Sequence, residues 1–123
     1  MNTILWILQA LVASVFLYSG LQKSIYPEYK LVGSGQTGVA GLSPGLIKFI
    51  GISEILGTIG IILPLLLRTA PVLTPIAAIG LAIIMIPAAM IHYKRSEYKN
   101  ILTNVVLFLI CVFIAYGRTR LVN

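Results

Sequence analysis

The chain has very few of the side chains that perform redox, metal or acid–base chemistry. Among its 123 residues are one cysteine, one histidine and three acids, and only 10% of the residues are charged. With Cys111 as the single cysteine, no intramolecular disulfide can form, and too few ligands remain for a structural zinc site. We therefore expect no metal site and no self-contained catalytic or redox centre, and we do not expect the chain to be an enzyme on its own.

Apolar residues, in contrast, make up 59% of the chain. A soluble domain usually carries about a quarter charged residues, so a water-soluble fold of this length could not bury so much apolar surface. The formal net charge is +6, but the Lys and Arg residues flank the apolar runs, which is typical of anchoring at anionic lipid headgroups. The expected partner is the lipid bilayer, and no nucleic acid is expected to bind.

Four apolar runs are long enough to cross a bilayer. They predict an all-α membrane protein, an up-down bundle of four transmembrane helices in one domain, with spans at residues 3–22, 45–67, 72–91 and 101–116. Ser43 and Pro44 form a helix-start signal before the second span. The connection at residues 23–43 contains Pro27 and four glycines, which disfavour a stable helix there. Short loops join the second span to the third and the third to the fourth, so each of these pairs of spans is antiparallel.

Polar side chains in the predicted spans concentrate in the half of the bundle that bears the two longer loops. A carboxylate near the midplane costs roughly 2.5–3.5 kcal/mol on insertion scales, so it marks a functional site by default. With a rise of about 1.5 Å per residue, Glu54 in the second span and Ser14 in the first span lie at similar depth. Tyr18 lies four residues after Ser14, on the same helix face and closer to the loops. We predict a half-open polar cavity with Glu54 at its floor, with Lys23, Lys48 and His92 around its mouth, and with Ser14, Tyr18 and Asn104 as its other polar residues.

Several of these residues also have a purely structural interpretation. Glu54 in its neutral form could hydrogen-bond a hydroxyl or a backbone carbonyl of another helix and so hold the bundle together. His92 and Lys48 suit the membrane interface, where long basic side chains extend toward water. Asn104 suits an interhelical hydrogen bond. The sequence leaves the structural and the functional interpretation of the cavity open.

Four stretches make the chain resemble the DoxX-like family of small four-helix membrane proteins, over nearly its whole length. Tyr18 to Lys23 is similar to the family's small-Gly-x-x-Lys exit from the first span, and Gly51 to Gly57 is similar to its Gly-x-x-Glu-x-x-Gly signature. The third span, Leu73 to His92, and the stretch from Asn104 to Arg118 with its closing aromatic-Gly-Arg complete the resemblance. Around Met85 the chain departs from the smaller residues of the family.

The resemblance implies that the family's shared Glu and Lys correspond to Glu54 and Lys23, and it supplies no catalytic residue. The family takes its name from a subunit associated with thiosulfate:quinone oxidoreduction in respiratory membranes; most members have no assigned activity, and distant eukaryotic relatives act in protein export or receptor assembly. With it we expect a multi-pass integral membrane protein of the bacterial cytoplasmic (inner) membrane.

Charge placement predicts an orientation in that membrane. Six basic residues lie on the side of the two longer loops, and three, Arg68, Arg118 and Arg120, lie on the other side. The positive-inside rule then places both chain termini outside the cytoplasm.

Three functions remain open at this point. The preferred one is a non-catalytic subunit that binds a lipid or quinone headgroup, or a partner's helix, in the cavity around Glu54. The second is a quinone-linked oxidoreductase membrane subunit, in which Glu54 and His92 pass protons to a quinone while a partner protein supplies electrons. The third is a small transporter or proton pathway, which a midplane acid and the prolines of the third span would suit. A membrane protein partner or a homo-oligomer is compatible with each.

Overall fold

Helices form the whole regular structure of the part of the chain that the computed structural model describes, residues 1–121. They are α1 (Asn2–Ile25), α2 (Glu28–Gly33), α3 (Pro44–Leu66), α4 (Leu73–Lys94) and α5 (Tyr98–Tyr116), with a 3₁₀ turn at Thr37–Val39 and a π-helical turn at Gly117–Leu121. The helices α1, α3, α4 and α5 are each long and apolar enough to cross a membrane. The predicted all-α fold with four transmembrane helices is confirmed.

The outer surface of the four long helices is apolar. Large aliphatic and aromatic side chains are exposed along all of them, among them Ile7, Phe49, Ile83 and Leu109. Helices that are apolar on every face belong in a membrane rather than on the surface of a soluble protein, so lipid chains are the natural solvent of this surface. The side chains that pack inside the bundle are small or branched for the most part, with Phe16 as the largest.

The helix ends follow local sequence rules. The side chain of Ser43 accepts a hydrogen bond from the backbone N–H of Leu46 at 3.3 Å, with Pro44 in the first helical position, so the predicted start of α3 is confirmed. The helix α1 continues to Ile25 and α5 begins at Tyr98, and both extend into segments that we assigned to loops. The helix α1 ends there because Tyr26 precedes Pro27 and adopts an extended backbone, as residues before proline prefer.

The prediction that residues 23–43 form no stable helix was wrong for part of that segment. Glycines are absent from Glu28 to Val32 and begin only at Gly33, so α2 forms in the glycine-free stretch and ends at the first glycine. Leu31 of α2 is buried against Val39 and Ile47. This small apolar cluster fixes the connecting segment on the start of α3.

The helices α1 and α3 cross with their backbones in close contact, and two glycines allow this. A Cβ atom at Gly51 would lie 2.8 Å from the Cβ of Lys23 and 2.9 Å from the carbonyl oxygen of Gly20. A Cβ atom at Gly20 would lie 2.7 Å from the carbonyl oxygen of Gly51. Small residues at such crossings are the usual means by which membrane helices approach each other, and here they bring the end of α1 against the first half of α3.

We expect Gly51→Ala to lower the free energy of unfolding by about 1–3 kcal/mol, the usual effect of overpacking a tight contact, because the obstructing atoms include backbone that cannot move aside. Gly80→Ala is the matched control, since nothing lies within 4 Å of a Cβ at Gly80. That substitution should change stability by no more than about 0.5 kcal/mol. Unfolding in mixed detergent micelles measures both variants, and equal stability of the two would contradict the close crossing.

Candidate functional site

A buried ion pair joins α1 and α3 just beyond their glycine crossing. The ammonium nitrogen of Lys23 lies 3.0 Å from Oε1 of Glu54, and both side chains are almost completely buried. The hydroxyl of Ser19, one helical turn before Lys23, donates to both carboxylate oxygens of Glu54, at 3.1 Å and 3.4 Å. The carboxylate therefore has two polar partners on α1, and its charge is balanced within the bundle rather than exposed to hydrocarbon.

A cavity of about 190 Å³, which we call the polar cavity, lies over this ion pair. Much of its lining is apolar, from residues such as Phe16 and Leu107, but ten polar residues also border it. Its walls are formed by residues of α1, α4 and α5, and Glu54 of α3 also lines it. Residues 35–38 of the connecting segment border it from the loop side. The polar residues that line it are Tyr18, Ser19, Lys23, Gln36, Thr37, Glu54, His92, Asn100, Thr103 and Asn104. The cavity therefore offers hydrogen-bond donors and acceptors on several sides.

The connecting segment is held over the cavity by contacts with other helices. Its Gln36 amide nitrogen donates to the side-chain oxygen of Gln22 on α1 at 3.2 Å. The Thr37 hydroxyl lies 3.3 Å from Nδ1 of His92 on α4 and accepts a hydrogen bond from the Asn100 amide nitrogen on α5 at 3.4 Å. A side chain at Gly38 would meet the ring of His92, since a Cβ there would lie 3.1 Å from Nε2. Glycine at this position lets the segment lie directly against α4.

His92 connects the cavity with the turn between α4 and α5. Its Nδ1 lies 3.0 Å from Oε1 of Glu97, and Arg95 lies 3.3 Å from the second oxygen of the same carboxylate. A carboxylate can only accept, so Nδ1 of His92 carries the proton in this contact. The hydrogen bond from His92 is the main reason why the pKa of the Glu97 carboxyl lies below its ordinary value. Glu97 therefore stays ionised beside the mouth of the cavity at neutral pH.

The residues predicted for the cavity do not all converge. Glu54 and Lys23 are in direct contact, and His92 and Asn104 are buried and line the cavity. Tyr18 also lines it, but its side chain is 65% exposed toward the membrane and its hydroxyl accepts a hydrogen bond from Gln22. Lys23 thus lies at the floor beside the carboxylate rather than at the mouth.

Ser14 does not reach the cavity. It is exposed on the outer face of α1, and its hydroxyl donates to the backbone carbonyl of Ala10 at 2.8 Å. The cause is the rotation of α1, which the sequence alone does not determine: the stripe through Ser19 and Lys23 faces α3, and the stripe through Ser14 faces the membrane. Lys48 is also exposed and takes no part in the cavity, as its interfacial interpretation requires.

Several polar residues of the site were not predicted. Ser19 lies four residues before Lys23 and therefore on the same helix face, a signal that was available once Lys23 was placed against Glu54. Thr37 and Glu97 come from loop regions, where the sequence offers no periodic pattern to indicate which way a side chain points. Asn100 lies in the first turn of α5, four residues before Asn104 and therefore on the same helix face.

The opposite end of the bundle has a second polar cluster, centred on Arg118. Its side chain is buried, 3% exposed, although it follows the predicted fourth span as a flanking charge. Nε of Arg118 donates to the side-chain oxygen of Gln9 at 2.6 Å, and Nη1 donates to that of Asn2 at 2.7 Å. The Gln9 amide nitrogen in turn donates to the backbone carbonyl of Ile61 at 2.7 Å. This cluster ties the start of α1 to the ends of α3 and α5.

A metal centre has no ligand set in the part of the chain that the structure describes. Within residues 1–121 no group of three or more His, Cys, Asp or Glu side chains lies together where it could hold a metal ion. The polar cavity offers groups for hydrogen bonding and charge interactions: an ammonium, a carboxylate, hydroxyls, amides and an imidazole.

Comparisons with known proteins identify one family. The model of the DoxX-like family matches residues 7–114, a range that contains every residue lining the polar cavity and excludes Arg118. No match was found among curated proteins, and none was found among solved structures.

We expect Lys23→Met and Glu54→Leu each to lower the free energy of unfolding by about 3–5 kcal/mol, because each leaves the other charge buried without its partner. The double variant should recover most of this loss, since a buried ion pair and an apolar pair of similar volume often have similar stability. Unfolding of the four proteins in detergent micelles completes the double-mutant cycle. Simple addition of the two single effects would contradict the coupling that the 3.0 Å contact indicates.

Proposed function

The chain belongs to the DoxX-like family and is a small multi-pass integral membrane protein, and we propose that it is a non-catalytic membrane subunit whose polar cavity binds the headgroup of a membrane-resident lipid or quinone. The proposal places this role in the bacterial cytoplasmic membrane. A membrane protein partner, or a second copy of the chain, would receive or present the bound molecule.

The observation that carries this proposal is the Lys23–Glu54 ion pair at the floor of the cavity. An apolar pair of similar size would hold α1 and α3 together about as well, so helix packing alone does not account for two charges at this depth. Ionisable groups inside membrane bundles typically serve a bound ion, proton or substrate. The ammonium of Lys23 has donors left over after its contact with Glu54, and these suit a carbonyl, phosphate or quinone oxygen.

The shape of the cavity favours a headgroup over a partner's helix. Its volume of about 190 Å³ is below the range of about 300–1,000 Å³ that drug-sized ligands occupy, so one small polar group or ring fills it. Residues 35–38 border it on the loop side, where a docking helix would need open space. A headgroup with an apolar tail that stays in the membrane meets both constraints.

The double variant Lys23→Met/Glu54→Leu tests this function, because it removes the polar floor while keeping a paired contact between the helices. Native mass spectrometry from mild detergent reads bound molecules and subunit count together. We expect the native chain, and the control Gly80→Ala, to carry at least one more bound lipid or quinone per chain than the double variant. Equal occupancy in folded native and double-variant protein would contradict a binding role for the pair.

A second candidate function, a quinone-linked oxidoreductase membrane subunit, is favoured by the contact between His92 and Glu97. These two groups lead from the cavity wall to the turn between α4 and α5, and they would carry a proton between a quinone in the cavity and water. Electrons would come from a partner protein with its own redox group. In a complex isolated with such a partner, Glu97→Gln should slow quinone reduction several-fold without changing the amount of bound quinone; an unchanged rate would rule this path out.

A further inference from the structure

A second cavity lies on the outside of the bundle, in a groove between α4 and α5. Its volume is about 440 Å³, and its surface is almost entirely apolar. Met85 and Met90 of α4 and Phe108 of α5 form its walls, and Tyr93 and Lys94 lie at the end of α4 where the groove reaches the loop side. We call it the α4–α5 groove. Its lining suits an apolar chain that lies between two helices.

Asn104 supplies a polar group in this otherwise apolar groove. Its side chain is 9% exposed, and its amide nitrogen has no hydrogen-bond partner among the residues that the structure describes. A buried donor without a partner is rare in proteins, and each instance calls for a bound group or an ordered water to satisfy it. Asn104 lines the inner cavity as well as the groove, and its amide nitrogen is itself buried, so the side chain has to turn toward the groove to meet an acceptor there. On that side, which opens to hydrocarbon, the acceptor comes from a molecule that itself resides in the membrane.

The depth of Asn104 identifies the kind of acceptor. The residue lies six positions after Tyr98, where α5 begins, which is about 9 Å along the helix. Lys94, which lines the same groove, is the last residue of α4 and is exposed at the loop side. A cationic group at the membrane surface, a hydrogen-bond donor one to two helical turns deeper and an apolar channel below match, in order, the phosphate, the ester carbonyl and the acyl chain of a phospholipid.

We propose that the α4–α5 groove binds one acyl chain of an anionic glycerophospholipid, with the Asn104 amide donating to an ester carbonyl and the Lys94 ammonium near the phosphate. The site is separate from the headgroup cavity of the proposed function. Met85 and Asn104 line both spaces and form the wall between them, whereas Lys23 and Glu54 line only the inner cavity.

The acceptor is tested by titrating delipidated protein with dioleoyl phosphatidylglycerol and with its diether analogue, which lacks the ester carbonyls, and reading bound lipid by native mass spectrometry. The native chain should bind the ester lipid roughly tenfold more tightly than the diether, the effect of one hydrogen bond to a buried donor. Asn104→Leu should abolish this preference. Equal binding of the two lipids to the native chain overturns the proposal, as does a preference that survives Asn104→Leu.

Matched variants locate the site. Thr103→Val changes the neighbouring residue, which borders only the inner cavity, and should keep the ester preference. Ala89→Phe fills the α4–α5 groove and should weaken both lipids, whereas Ile83→Phe, at an exposed position of the same helix outside the groove, should weaken neither. The double variant Lys23→Met/Glu54→Leu should keep lipid binding, which separates a failure of this proposal from a failure of the proposed function.

Two further measurements test other roles for the same residues. Lys94→Gln should reduce the preference for phosphatidylglycerol over phosphatidylcholine several-fold, and no change would overturn the assignment of the phosphate. Asn104→Leu should leave the lipid-free protein at least as heat-tolerant as the native chain, because it removes an unsatisfied group. Lower heat tolerance would show a structural role for Asn104, and a changed subunit count in Ala89→Phe would show that a second copy of the chain covers the groove; either result overturns the proposal.

Discussion

The constraint on which the rest of the structure depends is that the charges of Lys23 and Glu54 must be buried together. Neither charge is tolerable alone at this depth, so α1 and α3 must lie close enough for the two side chains to meet. Gly20 and Gly51 allow this close approach, because at each glycine a backbone atom of the other helix occupies the space that a Cβ would need. The glycines and the charges therefore act together. The close backbone contact sets the distance between α1 and α3, and the ion pair favours the register in which the two side chains meet.

The two ends of the bundle use their polar residues differently. At the end of Arg118, the donors and acceptors of Gln9 and Asn2 meet within the cluster and tie three helices together, which is the behaviour of a structural network. At the other end, the polar groups surround an open space of about 190 Å³, and Asn104 there has a buried donor without a partner among the described residues. The terminal side also has open space, a cavity of about 640 Å³ beside Asn2 and Arg118, so the reason to look for ligands at the loop side is the buried Lys23–Glu54 ion pair and not the presence of a cavity.

Hydropathy was sufficient to predict the membrane fold, because a helix in lipid must satisfy its own backbone and so needs only length and apolar composition. The same property made the site harder to predict. The spans are apolar on every face, so no hydrophobic stripe indicates how each helix is rotated, and Ser14 was chosen where Ser19 faces the carboxylate. Glu54 and Lys23 could be found because each is a charge that must be neutralised. Thr37 could not, because its position depends on how the connecting segment folds over the cavity.

Two of the three acids of the chain, Glu28 and Glu97, hold the loops at the loop side of the bundle. The carboxylate of Glu28 accepts the backbone N–H of Gly41 at 2.8 Å, and that of Glu97 holds His92, which in turn contacts the connecting segment. Because the loops are held at both points, we do not expect a ligand to enter the cavity from the loop side. The wall that α1 forms is different, since Tyr18, which lines the cavity there, is largely exposed to the membrane. Under the proposed function, a headgroup therefore enters sideways from the bilayer at Tyr18, with its tail still in lipid, and this route requires an amphiphile rather than a water-soluble ligand.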